Sequence, residues 1–147
     1  MWTPSARVSL LAAALALLPA CGNDHTRLPV QLVTRSCSGT PPLEGATHLR
    51  LQVTGEGMAP RQLLVPVDDV PEALEQVQTG PGRVLEVRAY QRRPEQGGRV
   101  VALGRSLPFE LAKEGAPTVR VVLRRTNAFT PVSDAAQPEA CGALAEA

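Results

Sequence analysis

Aromatic side chains are nearly missing from this 147-residue chain: one Trp, one Tyr and two Phe make up 3% of it. Base-stacking platforms and sugar-binding grooves are built on aromatic faces, so both lose support at once. Any core has to be aliphatic, drawn mostly from Val and Leu. Histidine is as scarce, with only His25 and His48, and neither stands near a cysteine at zinc-ligand spacing. The three cysteines form no Cys-x-x-Cys. No charge of one sign prevails: 15 Lys and Arg face 14 Asp and Glu, for a net charge of +1. That balance leaves no electrostatic footprint for nucleic acid or for an anionic lipid surface. Nor is there an apolar run of about 20 residues, the length a membrane-spanning helix needs.

What the chain does have begins with its leader. Met1–Arg7 carries one charge, Arg7, and Val8–Leu18 follows with none and with Ser9 as its only polar residue. These are the positive and apolar regions of a secretory signal peptide. The run ends in Leu18-Pro19-Ala20-Cys21, which resembles the lipobox of bacterial lipoproteins through Leu18, Ala20 and Cys21. The resemblance implies cleavage of residues 1–20, lipidation of the Cys21 thiol and an acylated, palmitate-bearing amino terminus. A thiol suits that role because its thiolate is a strong nucleophile. Two or more acyl chains, at about 0.8 kcal/mol per buried CH₂, hold a protein stably on a bilayer. The expected location is the cell envelope, at the outer membrane. An ordinary cleavable signal, with Cys21 kept as a thiol, is the competing reading.

If Cys21 carries lipid, Cys37 and Cys141 are left to pair in an oxidising compartment. The bridge closes a loop of about 100 residues, which on the chain-entropy model contributes about 4–5 kcal/mol. The alternative is two separate reduced thiols.

Residues 21–28 are short and polar and are expected to act as a lipidated tether, followed by one domain over 29–126. Its pattern is of period two. Val30 and Leu32 alternate with Gln31; Leu49, Leu51 and Val53 alternate with His48, Arg50, Gln52 and Thr54. Gln62–Val67 is apolar but holds Pro66, which places it at a sheet edge. Residues 68–79 read either as a short helix opened by Pro71 or as a strand in their second half, with Gly80-Pro81-Gly82 as a hairpin-like turn. Leu85, Val87 and Ala89 alternate with Glu86, Arg88 and Tyr90; Pro94–Gly98 signals a hairpin into 99–105. Leu107, Phe109 and Leu111 read as a short strand, and Val119, Val121 and Leu123 as the inner face of another. The expectation is an all-β, antiparallel sandwich or barrel of about seven strands. Residues 127–147 lack periodicity and are expected to form an irregular tail pinned through Cys141.

The leader, Thr34-Arg35-Ser36-Cys37, Thr47-His48-Leu49-Arg50, Gly82–Val87, Gly104-Arg105-Ser106 and Asn127–Pro131 resemble the amino-terminal region of certain bacterial lipoproteins. In those, an immunoglobulin-like or transthyretin-like sandwich precedes Kelch-type β-propeller repeats. The resemblance implies that sandwich fold. It brings no catalytic residues with it, and no Kelch repeat lies within residues 1–147, so propeller-borne functions are expected to be absent or to sit on a separate product.

Among side chains with chemistry, Ser106 in Gly104-Arg105-Ser106-Leu107-Pro108 superficially looks like a nucleophile elbow, but the second Gly is missing and the flanks read strand to strand. A turn serine is the better reading. His48 needs a nucleophile nearby to act as a base; facing solvent is its plainer role. Asp68, Asp69 and Glu72 lack the spaced ligands and Gly of a calcium loop and read as a solvated turn. Arg50, Arg88, Arg120 and Arg124 occupy outward positions and are expected to form a guanidinium stripe able to dock carboxylates or phosphates of a partner or of lipid headgroups. Against that stands a merely solvated face with Glu86 and Glu110 interleaved. The sum is a non-catalytic, lipid-anchored envelope module for binding, adhesion or scaffolding, without cofactor, metal or nucleic acid, whose partners are the membrane and an unidentified protein or polymer. The other reading is a spacer for an envelope enzyme or transport complex.

Overall fold

In a computed structural model, residues 24–34 and 40–126 are described. Nine strands follow one another: β1 (His25–Val33), β2 (His48–Thr54), β3 (Arg61–Pro66), β4 (Ala73–Gln78), β5 (Gly80–Tyr90), β6 (Val100–Arg105), β7 (Phe109–Leu111), β8 (Val119–Val122) and β9 (Arg124–Arg125). A single 3-10 turn, Pro94–Gln96, closes the β5–β6 hairpin. The described residues are all-β, in two sheets packed as a sandwich. One has the order β4-β1-β8; the other runs β3-β2-β5-β6-β9, with β7 paired to the opening of β5.

The period-two alternation decides which face of each strand is buried. Leu49, Leu51 and Val53 of β2, and Leu85, Val87 and Ala89 of β5, have no exposed surface. Leu28, Leu74, Val77, Val119, Val121 and Leu123 meet them from the smaller sheet and its continuation. β3, with Pro66 as its last residue, lies at the sheet edge as its missing amide requires. Residues 73–78 form a strand, so no helix opens at Pro71.

Four expectations need correction. The first strand starts at His25, so a polar tether reaching Leu28 is too long: Leu28 is fully buried, and Pro29 sits inside the strand. Proline is accepted there because β1 changes neighbours at that point. His25–Pro29 pairs with β4 on one side, and Val30–Val33 pairs with β8 on the other. Secondly, the β1–β8 pairing is parallel. So distant a connection is free of the geometry that makes hairpin neighbours antiparallel. Thirdly, Gly80-Pro81-Gly82 is no hairpin turn. It belongs to β5, and the chain leaves the small sheet after β4 to enter the large one. Lastly, Leu107 does not face inward; it is 82% exposed in the β6–β7 connection.

Arg83 governs that passage between sheets. It is 2% exposed, the one buried charged residue among those described. Its Nε donates to the Gln78 carbonyl at 3.1 Å, Nη1 to Glu56 at 2.8 Å, and Nη2 to Thr79. One guanidinium thus ties the β2–β3 turn to the end of β4 and the start of β5. Gly80 makes room for it: a Cβ there lies 2.4 Å from Nη2, and φ is +143°, a region few other residues enter. Along the same seam Arg61 Nε donates to the Glu75 carbonyl and Gln78 Nε2 to that of Gly57, both at 3.3 Å. At the opposite seam one segment serves both sheets, β8 passing through buried Leu123 into β9.

The strand directions give the sandwich two unlike ends. β1 begins, β4 finishes and β5 begins at the first end, where Asp24 accepts the Thr79 amide and pairs with Lys113 at 3.2 Å. β1, β8 and β9 finish at the other, beside the β5–β6 hairpin.

Ala at position 80 forces Arg83 to move against three carbonyl bonds, and Gly80→Ala is expected to lower stability by about 2 kcal/mol. Gln76, at φ +55° in a bulge of β4, carries strain that a glycine relieves. Gln76→Gly is expected to raise stability by about 0.5–1 kcal/mol. Urea midpoints with unchanged slopes check both; a Gly80→Ala midpoint equal to the parent's refutes the clasp.

Candidate functional site

The outward face of the large sheet gathers most of the arginines singled out by the sequence. Arg50 of β2 stands directly opposite Arg88 of β5. Arg88 is opposite Leu103 of β6, which is opposite Arg124 of β9. With Leu64 of β3 opposite Arg50, one register row reads Leu64, Arg50, Arg88, Leu103, Arg124. Arg120 is not in it. It lies on β8 in the other sheet, opposite Gln31, because the chain changes sheet between Val122 and Arg124. Three of the four expected members therefore come together.

The neighbouring row places Gln62, Gln52, Glu86 and Arg105 side by side. Arg88 Nε donates to Glu86 Oε1, an ion pair between half-exposed side chains. That hydrogen bond, and the Glu86 charge with it, raises the Arg88 pKa above its already high usual value, against a smaller lowering by burial. Arg88 is therefore a fixed cation at every pH the fold survives. In the row on the other side, His48 is opposite Tyr90. Tyr90 was expected to face water, yet it is only 5% exposed. A register shift between Ala89 and Tyr90 and the Arg50 side chain account for this: the guanidinium carbon of Arg50 lies 5.4 Å from the ring centroid. A cation over a ring face at this distance is attracted by the ring quadrupole.

The other chemistry-bearing side chains serve the backbone. The Ser106 hydroxyl accepts from the Leu85 amide at 2.9 Å, while the Ser106 amide donates to the Leu85 carbonyl. It completes a ladder rung where β6 has ended, and it is not a nucleophile presented to solvent. Thr47 Oγ1 donates to the Gln91 carbonyl at 3.0 Å, so at 2.9 Å from His48 Nδ1 it accepts, which fixes the proton on Nδ1. Asp68, Asp69 and Glu72 are exposed on the β3–β4 connection. Among the described residues no three His, Cys, Asp or Glu gather as metal ligands. Cys21, Cys37 and Cys141 lie outside the described residues, as do the leader and residues 127–147.

Compared with known protein families, curated proteins and solved structures, the chain matches none.

Arg83 and Tyr90 escaped the sequence reading. Glycines at 55 and 80 against a lone arginine were the available signal for the first, since a buried guanidinium needs neighbours without side chains. For the second there was none, because the bulge that tilts Tyr90 has no pattern of its own.

Ser106→Ala removes the acceptor for a fully buried strand's amide and is expected to cost about 1–2 kcal/mol. Amide hydrogen exchange at Leu85 locates the effect: faster exchange there, with Leu51 unchanged, is the expected result.

Proposed function

We propose that this chain is a lipid-anchored, non-catalytic module of the bacterial cell envelope that works by binding, adhesion or scaffolding. The observation that carries the reading is Leu18-Pro19-Ala20-Cys21 at the close of an uncharged run. Its fold is read as immunoglobulin-like or transthyretin-like, in keeping with the resemblance to the sandwich that precedes Kelch repeats in certain lipoproteins. Two features support the assignment. Strand β1 opens at His25, only a few residues after Cys21, so the acyl chains hold the first end of the sandwich close to the bilayer. The candidate nucleophile Ser106 is engaged with the Leu85 amide, and the candidate base His48 with the Thr47 hydroxyl. Acyl chains on Cys21 are the membrane contact, and the outer membrane is the proposed location.

A second reading, a spacer within an envelope enzyme or transport complex, is favoured by the directions of β1 and β9. The described domain is entered at one end and left at the other, as a segment holding two things apart must be. Cross-linking in intact cells separates the two: a spacer gives one stoichiometric partner, an adhesion module does not.

A Cys37–Cys141 bridge belongs to the same proposal, these being the two cysteines left to pair once Cys21 carries lipid. Expressed in a Gram-negative host, the chain is expected in the membrane fraction with an acylated Cys21 as its first residue. Cys21→Ser is expected to abolish acylation and to leave the leader uncleaved at position 20, both read by mass. An unmodified Cys21 in a soluble mature form overturns the anchor. Non-reducing peptide mapping is expected to recover Cys37 and Cys141 joined.

A further inference from the structure

We propose that the outward face of the large sheet docks an extended acidic polypeptide segment, one with carboxylates on alternate residues, along the row Arg50, Arg88, Leu103, Arg124. The proposal rests on the binding-module reading and names the class of partner.

Charge and spacing carry it. Across β3, β2, β5, β6 and β9 the outward paired positions hold Arg50, Arg88, Arg105 and Arg124 against a single carboxylate, Glu86. The chain as a whole is near neutral, so this face concentrates cations that the composition alone does not show. Arg92, Arg93 and Arg99, exposed on the adjoining hairpin, extend the same field at the end far from Asp24. Arg50 forms no ion pair among the described residues, and its guanidinium carbon lies 5.4 Å from the Tyr90 ring centroid. A guanidinium without a carboxylate partner keeps its planar fork available for a bidentate carboxylate. Arg88, tied to Glu86 through Nε and also engaged with Tyr90, stands beside it as a positioned cation.

Neighbouring strands lie about 4.8 Å apart, so Arg88 is one spacing and Arg124 three spacings, about 14 Å, from Arg50. An extended segment repeats its side chains on one face every 6.6–6.8 Å or so, and three alternate carboxylates therefore span about 13 Å. The match lies within the reach of arginine side chains. Leu64 and Leu103, both half-buried in the same row, offer apolar contact between and beside the ion pairs. Lipid headgroups fit less well: an anchor on Cys21 enters at the start of β1, so an anchored domain turns that end of its strands toward the bilayer while this face looks sideways. Nucleic acid lacks its stacking partners, since Tyr90 is covered.

The experiment uses the mature chain carrying Cys21→Ser and a nine-residue peptide alternating Glu and Val, blocked at both ends, with its Gln counterpart as control. Expected at low salt is binding of the Glu peptide alone, falling steeply as salt rises. Arg50→Ala or Arg124→Ala weakens it about tenfold, and Arg120→Ala, on the other sheet, leaves it unchanged. If Arg50→Ala does not fold, Arg50→Lys keeps the charge without the fork, and weaker binding at an unchanged melting temperature supports the row. Absence of binding overturns the proposal, as does equal loss in Arg120→Ala or tighter binding to phosphatidylglycerol vesicles. So does binding that appears only in an Asp134→Asn, Glu139→Gln variant, which assigns the face to the chain's own acidic carboxyl-terminal segment. Lipid attachment to Cys21 is read separately by mass, so failure here leaves the anchor standing and failure there leaves this face to be tested.

Discussion

The fold depends on a single buried cation placed where the chain changes sheets. A sandwich with an aliphatic core has strong cohesion between its faces but little that is specific about how its edges meet, because the hydrophobic effect is non-directional. Arg83 supplies the direction. Its guanidinium collects carbonyls from Glu56, Gln78 and Thr79, at the seam between β4 and β5. Carbonyl dipoles, without a carboxylate, satisfy the donors, and Gly55 and Gly80 let the backbone come near enough. The passage from β4 into β5 is fixed by this contact, and with it the facing of the two sheets.

Seen from that seam, the assignment of roles to polar residues becomes economical. Ser106 and Thr47 each finish a backbone connection that a strand ending would otherwise leave open, and His48 leans on the second. The outward face of the large sheet is different. Its arginines are placed by strand register, and Arg88 is tied by an ion pair to its own strand, through Glu86. A surface ion pair of this exposure contributes about 0–1 kcal/mol.

Much of the architecture was legible because period-two alternation is a direct record of burial. Leu49, Leu51 and Val53, or Leu85, Val87 and Ala89, need no tertiary information to be placed inward, and Pro66 marks an edge by the amide it lacks. What alternation does not encode is which strand lies beside which. Hence four outward arginines read as one stripe are divided by the topology: Arg50, Arg88 and Arg124 fall in one register row of the large sheet, while Arg120, four positions before Arg124 and in the same apparent strand, lies in the other sheet. Gly80-Pro81-Gly82 looks like a turn by composition, yet Gly80 answers to the volume of the Arg83 guanidinium, and Gly82 to a backbone φ of +63°. Pro29 concealed the true start of β1 in the same way, since a proline is legible as a boundary but not as a change of neighbour.

The parallel pairing of β1 with β8 has a mechanical meaning. Tension applied between the start of β1 and the end of β9 pulls the two strands in opposite directions along their length, so Val30–Val33 and Val119–Val122 are loaded in shear. Hydrogen bonds loaded that way resist together, whereas a hairpin pulled at its open end peels one rung at a time. A domain held at one end and tugged at the other, by flow or by whatever it grips, therefore has its most force-resistant pair of strands in the line of pull.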